Sequence, residues 1–431
     1  MTPQTTRRRF LAASGALGIS TLVSKTATAE PSTALKIGVI GLGGRGRAQI
    51  GNCFQLGDVT VPAVCDVAPD ALARAQAVFK QYQQPVPEAY TGGPDDYKRL
   101  LAREDLDAVI ISTPWEWHAR MAVDAMKAGK YVGVETPLGL TVDELWEVVK
   151  TSEETGCHCM MFENWSFRQD NLALLNMVRA GLFGDIVHAH CSYSHNCIHW
   201  FFDPQGEPRW SGRHLIDKNA AQYCTHGMGP IPGWMNLNRE DRIDFLVATA
   251  TKPLGIQDQL ARKHGPDHAW AKQEYKQGDI VTAIARTVQG KTIVINNDVV
   301  LPRPYDNRWT LQGTRGIYNE QRGAVYLEGV SPAGHQWEPF APYEAKYNHR
   351  FWEGIDPAKA GGHGGTDYVV MKEFLNAVRR KETPPLDIYD SAVISVINPL
   401  SGESIANGSQ PVKCPDFTQG AWETNQASFG V

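Results

Sequence analysis

Two groups of residues in this 431-residue chain have the types and spacing for chemistry. The first is Gly41-Leu42-Gly43-Gly44-Arg45-Gly46, with Asp66 twenty residues further on. In such a loop the first glycine permits a tight turn, the second lets backbone approach a pyrophosphate, and the third lets the next helix pack closely on the strand. Phosphates then rest on that helix's N-terminal amides and its dipole. A carboxylate at Asp66 accepts hydrogen bonds from an adenosine ribose and repels a 2′-phosphate. The pattern therefore predicts bound NAD rather than NADP, held by Gly41, Leu42, Gly43, Arg45, Gly46 and Asp66. The second group is His188, His190, His195 and His199. Residues i and i+2 share one strand face, which invites a metal, but no acid or cysteine completes a ligand set. These histidines read as a polar strand face lining a cleft, with no metal.

The surrounding pattern supplies the elements that must position these groups. Strands are expected at 34–40, 59–64, 107–112 and 131–134, with helices at 46–56 and 118–128. This alternation, continuing to about residue 150, predicts an α/β chain opening with a Rossmann-type doubly wound parallel sheet. Ligands in such sheets bind beyond the carboxyl ends of the strands. Thr113, Pro114, Trp115, Trp117, His118 and Glu135 follow strand ends and so fall where nicotinamide and substrate should lie. From residue 138 the pattern changes. Helices at 141–155 and 170–180 and a strand at 158–162 precede strands near 186–193, 243–251, 279–287, 292–297 and 309–313. A run of strands after an alternating half predicts a C-terminal α+β domain on a mainly antiparallel open sheet. Tail helices at 365–380 and 391–407 should pack back on both domains. The expected division is 30–155 for cofactor and 156–431 for substrate and assembly.

Hydrophobic content of 42% and a formal net charge of −5 describe an ordinary globular chain without a basic stripe for nucleic acid. The opening residues differ. Arg7-Arg8-Arg9-Phe10-Leu11, a short apolar run to Val23 and Ala27-Thr28-Ala29 form a charged region, a hydrophobic region and a small-residue cleavage site. Residues 1–29 thus look like a twin-arginine export signal, which implies a periplasmic or otherwise exported protein. That route carries folded proteins to a compartment with no obvious NAD supply, so the cofactor should travel bound and be regenerated in place. Beyond that segment no apolar run is long enough for stable membrane insertion. The eight cysteines lack C-x2-C spacing, and no disulfide pairing follows from them.

Over essentially its whole mature length the chain resembles the glucose-fructose oxidoreductase and inositol dehydrogenase (Gfo/Idh/MocA) superfamily. Within it, the chain is most similar to the NAD-dependent glycosidases of glycoside hydrolase family 109, known for alpha-N-acetylgalactosaminidases. Trp115-Glu116-Trp117-His118, Glu163-Asn164, Leu175-Asn176-Met177-Val178, Tyr223 with Thr225-His226-Gly227, Asn236-Leu237-Asn238-Arg239, Pro302-Arg303-Pro304-Tyr305 and His363-Gly364-Gly365-Thr366-Asp367-Tyr368 carry the resemblance. The superfamily's dehydrogenases usually have Glu-Lys-Pro, whose lysine polarises the substrate alcohol; here the segment is Glu135-Thr136-Pro137. Thr136 cannot supply that charge, which favours the glycosidase branch over an exported sugar oxidoreductase.

The resemblance implies transient oxidation of a sugar at C3 by bound NAD, loss of the acidified C2 proton with expulsion of the C1 group, addition of water and return of the hydride. It also implies roles. His226 accepts the C3 hydroxyl proton, since imidazole shuttles protons near neutral pH. Tyr223 and Tyr305 contact substrate and transfer protons at C2 or C1. Glu135, Arg213, Tyr193, His195 and Trp117 meet the sugar, Asn164 meets the cofactor beside Glu135, and His363 and Asp367 are weaker cleft candidates. Two departures stand out. The family's tyrosine after Glu-Asn, a base, is Phe167 here, leaving Tyr223, Tyr193, His195 or a water for that task; lost catalysis, with NAD kept as structure, is the remaining possibility. The arginine beside Trp210 is Ser211, with Arg213 two positions on. Open sheet faces in the superfamily often pair subunits, so a homodimer is expected on a small-molecule or glycan substrate.

Overall fold

The computed structural model describes residues 34–430; the export signal expected at 1–29 lies outside them. The first sheet comprises β1 (Leu35–Ile40), β2 (Val59–Cys65), β3 (Glu88–Tyr90), β4 (Ala108–Ile111), β5 (Tyr131–Val134) and β6 (Cys159–Met161). All pairings are parallel, in the order β3-β2-β1-β4-β5-β6. β4 is buried at every position, as strands covered by helices on both faces require. Strand order reverses between β1 and β4, and a ligand crevice opens at such a switch point. β6 still belongs to this sheet, so the first domain runs past the expected boundary at residue 155.

The second sheet holds nine strands, β7 (Ile186–Ser194), β8 (Ile243–Ala250), β9 (Val281–Thr287), β10 (Thr292–Asp298), β11 (Thr310–Gly313), β12 (Gly316–Asn319), β13 (Ala324–Leu327), β14 (Glu338–Pro339) and β15 (Val412–Lys413). They lie in the order β14-β13-β12-β11-β7-β10-β9-β8-β15. Every pairing is antiparallel except β7 with β10. Along β9 buried and outward residues alternate, so one face of the sheet is packed and the other open. The chain is therefore α/β overall, with a Rossmann doubly wound half and a mainly antiparallel α+β half.

The C-terminal helices join the halves. Thr366–Arg380 packs on the helix Gly44–Leu56, with Phe374 edge-on to Phe162 just after β6. The buried hydroxyls of Ser391 and Ser395 accept from the backbone amides of Met161 and Leu138 at 3.3 and 3.1 Å. In place of one tail helix at 391–407 there are two, Ile388–Ser395 and Ile397–Ala406. Pro399 explains the break: it has no N–H for the carbonyl of Ser395.

Candidate active site

The glycine loop shows three distinct constraints. Gly41 has φ +90, and a β-carbon there would lie 2.6 Å from the Ser112 backbone. One on Gly46 would sit 1.9 Å from the Gly41 carbonyl oxygen. At Gly43 and Gly44 an added β-carbon meets nothing within 4 Å, so that backbone lies open. The helix Gly44–Leu56 has no side-chain cap and no acid in its first turn. Its free N–H groups and dipole suit a pyrophosphate. Asp66 sits at the end of β2 beside the loop, accepting from the Leu42 and Ala68 amides at 2.6 and 2.8 Å. Tight turn, open cradle and adjoining carboxylate fit a dinucleotide.

From the loop a charged network runs toward the second domain. Arg45 donates to Glu135 at 3.0 Å and to Asp367 at 2.7 Å. Gln49, one helical turn on, also reaches Glu135 at 2.6 Å. Asn164 donates to the other Asp367 oxygen at 2.8 Å, and His363 Nδ1 stands 2.9 Å from the first. Burial opposes ionisation of Asp367, but His363 and Arg45 outweigh it and hold the carboxyl well below the usual range. Burial likewise works against the Arg45 charge, and Glu135 and Asp367 more than restore it. Glu135, Asn164, His363 and Asp367 thus form one unit with the glycine-loop helix.

Next to it, His226 is enclosed by rings. Tyr193, Tyr223 and Trp165 lie 4.9, 5.2 and 6.0 Å from it between centroids. Tyr305 packs on Trp165, Tyr193 and His195, and Trp200 on His195 and Tyr223. Trp115, from the turn after β4, stacks on Tyr223 at 5.4 Å and 20°. His226 Nδ1 is 2.8 Å from Glu163 Oε1, and Glu163 is fully buried. Burial pushes the phenols of Tyr193 and Tyr223 above their ordinary values, so both stay protonated donors at neutral pH; Tyr305, on the same cluster, is 43% exposed. Burial, aided by His226 and His199, lowers His195 to about 4. Its Nε2 stands 2.8 Å from the Tyr193 hydroxyl, a neutral imidazole facing a phenol. Unpaired buried polar atoms on Glu163, Asn164, Trp165, Thr225 and Asn307 concentrate around this cluster. Unmade hydrogen bonds of this kind are costly, and a hydroxyl- or amide-bearing ligand is the chemistry that satisfies them.

Other expected residues lie elsewhere. The His118 ring is buried, with Nδ1 and Nε2 at 2.7 and 2.8 Å from the carbonyls of Pro137 and Thr113, so it braces two loops rather than reaching a cofactor. Trp117 lies under the Arg120 guanidinium. Arg213 is solvent-exposed on the helix Trp210–Asp217, outside the ring cluster, and Ser211 is tied to the Trp200 carbonyl. Phe167 is fully buried between Phe351 and Phe429. Its ring belongs to the core, not to the cleft. His188 and His190 are engaged by Thr292 and Asn296, and among the described residues no group of three metal-binding side chains gathers. Sequence reasoning gave no role to Gln49, Glu163, Trp165 or Trp200. Glu163 could have been found by position, because it lies just beyond the carboxyl end of a strand of the parallel sheet, after Phe162.

Comparison with known proteins agrees with this geometry. Residues 35–163 match the oxidoreductase family's NAD-binding Rossmann fold, and residues 167–424 match the glycosyl hydrolase 109 C-terminal domain. An alpha-N-acetylgalactosaminidase of Tannerella forsythia is 38% identical over 417 residues, covering 92% of this chain and 89% of the relative. A glycosyl hydrolase family 109 protein of Stenotrophomonas maltophilia is 38% identical, with 98% of both chains covered. Among solved structures, levoglucosan dehydrogenase in complex with NADH and levoglucosan superposes with a TM-score of 0.69 at 18% identity, over 89% of this chain and all of that one, a likeness of fold. The chain belongs to glycosyl hydrolase family 109, a glycosidase built on an NAD-binding Rossmann domain.

Proposed function

We propose that this protein is exported with its NAD and hydrolyses an N-acetylgalactosaminide or a related hexoside by oxidation at C3, elimination across C1 and C2, addition of water and re-reduction. Bound NAD supplies the acceptor for the C3 hydride and later its donor. The observation that carries the reading is His226, walled by Tyr193, Tyr223 and Trp165 beside the Asn164–Asp367–Arg45 network that leads to the glycine loop. With Nδ1 facing Glu163, Nε2 is the nitrogen left for the C3 hydroxyl proton. A ketone at C3 acidifies the C2 hydrogen, and the Tyr193–His195 pair takes that proton, since position 167 holds a core phenylalanine. Protonated Tyr305, hydrogen-bonded to Asn307, donates toward the departing oxygen.

Thr136 supports hydrolysis over net oxidation: its hydroxyl lies 3.5 Å from Tyr223 and brings no positive charge to the substrate alcohol. The open face of the second sheet supports a homodimer. Val247, Ile284 and Val294 are neighbours in register across β8, β9 and β10, and Ile284 is 51% exposed. The arginines and small-residue site of the opening segment support export. Incubation with a panel of aryl hexosides, including the α-N-acetylgalactosaminide, in buffer without added NAD tests the function. Release of aglycone supports it. Stoichiometric accumulation of NADH without hydrolysis would replace it with a sugar oxidoreductase.

A further inference from the structure

We propose that Glu163 is the positioning residue of the reaction: its buried carboxylate fixes the tautomer and aim of His226. This rests on His226 being the proton acceptor described above. Glu163 lies two residues past the end of β6 and is fully buried, and its Oε1 receives both the Trp165 amide at 3.1 Å and His226 Nδ1 at 2.8 Å. Oε1 already accepts the Trp165 amide and so acts as an acceptor, which puts the proton of the His226 contact on Nδ1 and leaves Nε2 to present its lone pair to the cleft. Gly229 makes this seat possible, because a β-carbon there would lie 2.9 Å from Glu163 Cγ. The second oxygen, Oε2, has no partner in the protein. Burying a carboxylate is costly to stability, which is the expected signature of a group held for its effect on a neighbour.

Charge matters as well as aim. When Nε2 takes a proton the ring becomes cationic, and Glu163 is the acid in hydrogen-bonding contact with it. The other groups packed against the ring are Tyr193, Tyr223 and Trp165, with His195 acting on it from the loop after β7. Two of these are phenols and one is a neutral imidazole, none of which stabilises a cation as a carboxylate does.

The test uses the NAD-bound enzyme with an aryl α-N-acetylgalactosaminide. Glu163→Gln keeps the size and removes the charge. It should lower kcat about 10- to 100-fold with KM within about threefold, leave bound NAD in place, and move the acid limb of kcat to lower pH by about 1, since the imidazolium loses its stabilising partner. In a His226→Ala background the same substitution should change kcat no further, as expected for residues acting as one unit. Unchanged kcat and pH profile in Glu163→Gln, or an undiminished penalty in the His226→Ala background, overturns the proposal. If His226→Ala itself turns over like the parent enzyme, the functional reading fails instead. Should Glu163→Gln not fold, histidine-selective 15N NMR on the unmodified enzyme decides: a protonated Nδ1 and lone-pair Nε2 at His226 uphold the assignment, and the opposite tautomer refutes it.

Discussion

Arg45 and Asp367 are separated by 322 positions in sequence and by 2.7 Å in space. Arg45 stands in the first turn of the helix that follows the glycine loop, and Asp367 in the first turn of Thr366–Arg380. The pair therefore clasps the C-terminal segment onto the cofactor domain. Gly361 reinforces the clasp, since a β-carbon there would lie 2.8 Å from both Asn52 and Gln55 of the same helix.

Asp367→Asn should accelerate release of NAD about tenfold or more, corresponding to about 1.4 kcal/mol, because the Arg45 guanidinium loses a buried charged partner. Dilution of the NAD-loaded protein with the released cofactor followed by enzymatic cycling measures it. The parent's retention should weaken in acid: a carboxyl held well below its unfolded value contributes fully above that value and is lost as pH falls toward the folded one. Release at the parental rate in Asp367→Asn would show that the clasp does not govern retention.

His226→Ala should depress turnover about 10²- to 10⁴-fold, the usual worth of general-base help. Bound NAD should remain, because the glycine loop and Arg45 are untouched. Loss of cofactor together with activity would make His226 a folding residue rather than a proton acceptor.

The cofactor half was legible in the sequence because its constraints are local. Gly41 and Gly46 are demanded by contacts to the Gly41 and Ser112 backbone, and Asp66 by its place at a strand end. The second site was legible in its tyrosines and histidines but not in its grouping. Tyr193, His226 and Tyr305 come from distant segments, and only the long-range pairings of the nine-strand sheet bring them together. Phe167 shows the limit from the other side: its motif position suggested a lost base, whereas packing against Phe351 and Phe429 makes it a core ring. His118 looked like a cofactor ligand from its place after β4, and two carbonyls claim its ring.

Asp66→Arg should shift preference from NAD toward NADP. The carboxylate that would hold the ribose disappears, and a guanidinium can meet a 2′-phosphate. Binding of the two cofactors to protein stripped of NAD measures the change. Unaltered preference for NAD would place the ribose contact on another residue. The same substitution also removes an acceptor for the Leu42 amide, so weaker binding of both cofactors should accompany the switch.

Ile284→Glu should convert a dimer to a monomer. It puts a charge at the centre of the Val247–Ile284–Val294 row on the open sheet face, where desolvating an unpaired carboxylate opposes association. Sedimentation velocity of parent and variant reads the result, and a parent that sediments as a monomer at micromolar concentration removes the proposed dimer altogether.

Elimination leaves a mark that direct displacement does not. If the C2 hydrogen departs in each turnover, hydrolysis in D2O should give sugar carrying deuterium at C2, since the base that removes the proton, His195 with Tyr193, exchanges with solvent before returning it. Displacement at C1 never breaks that bond. Tyr193→Phe should slow the exchange and the hydrolysis together, because it removes the hydroxyl 2.8 Å from His195 Nε2 while keeping the ring that walls His226. A proton shielded from solvent could return without exchanging, so substrate deuterated at C2 completes the test. A primary isotope effect on its hydrolysis supports elimination even where label is retained. Full retention of label with no isotope effect would exclude it and leave NAD without a role in bond cleavage.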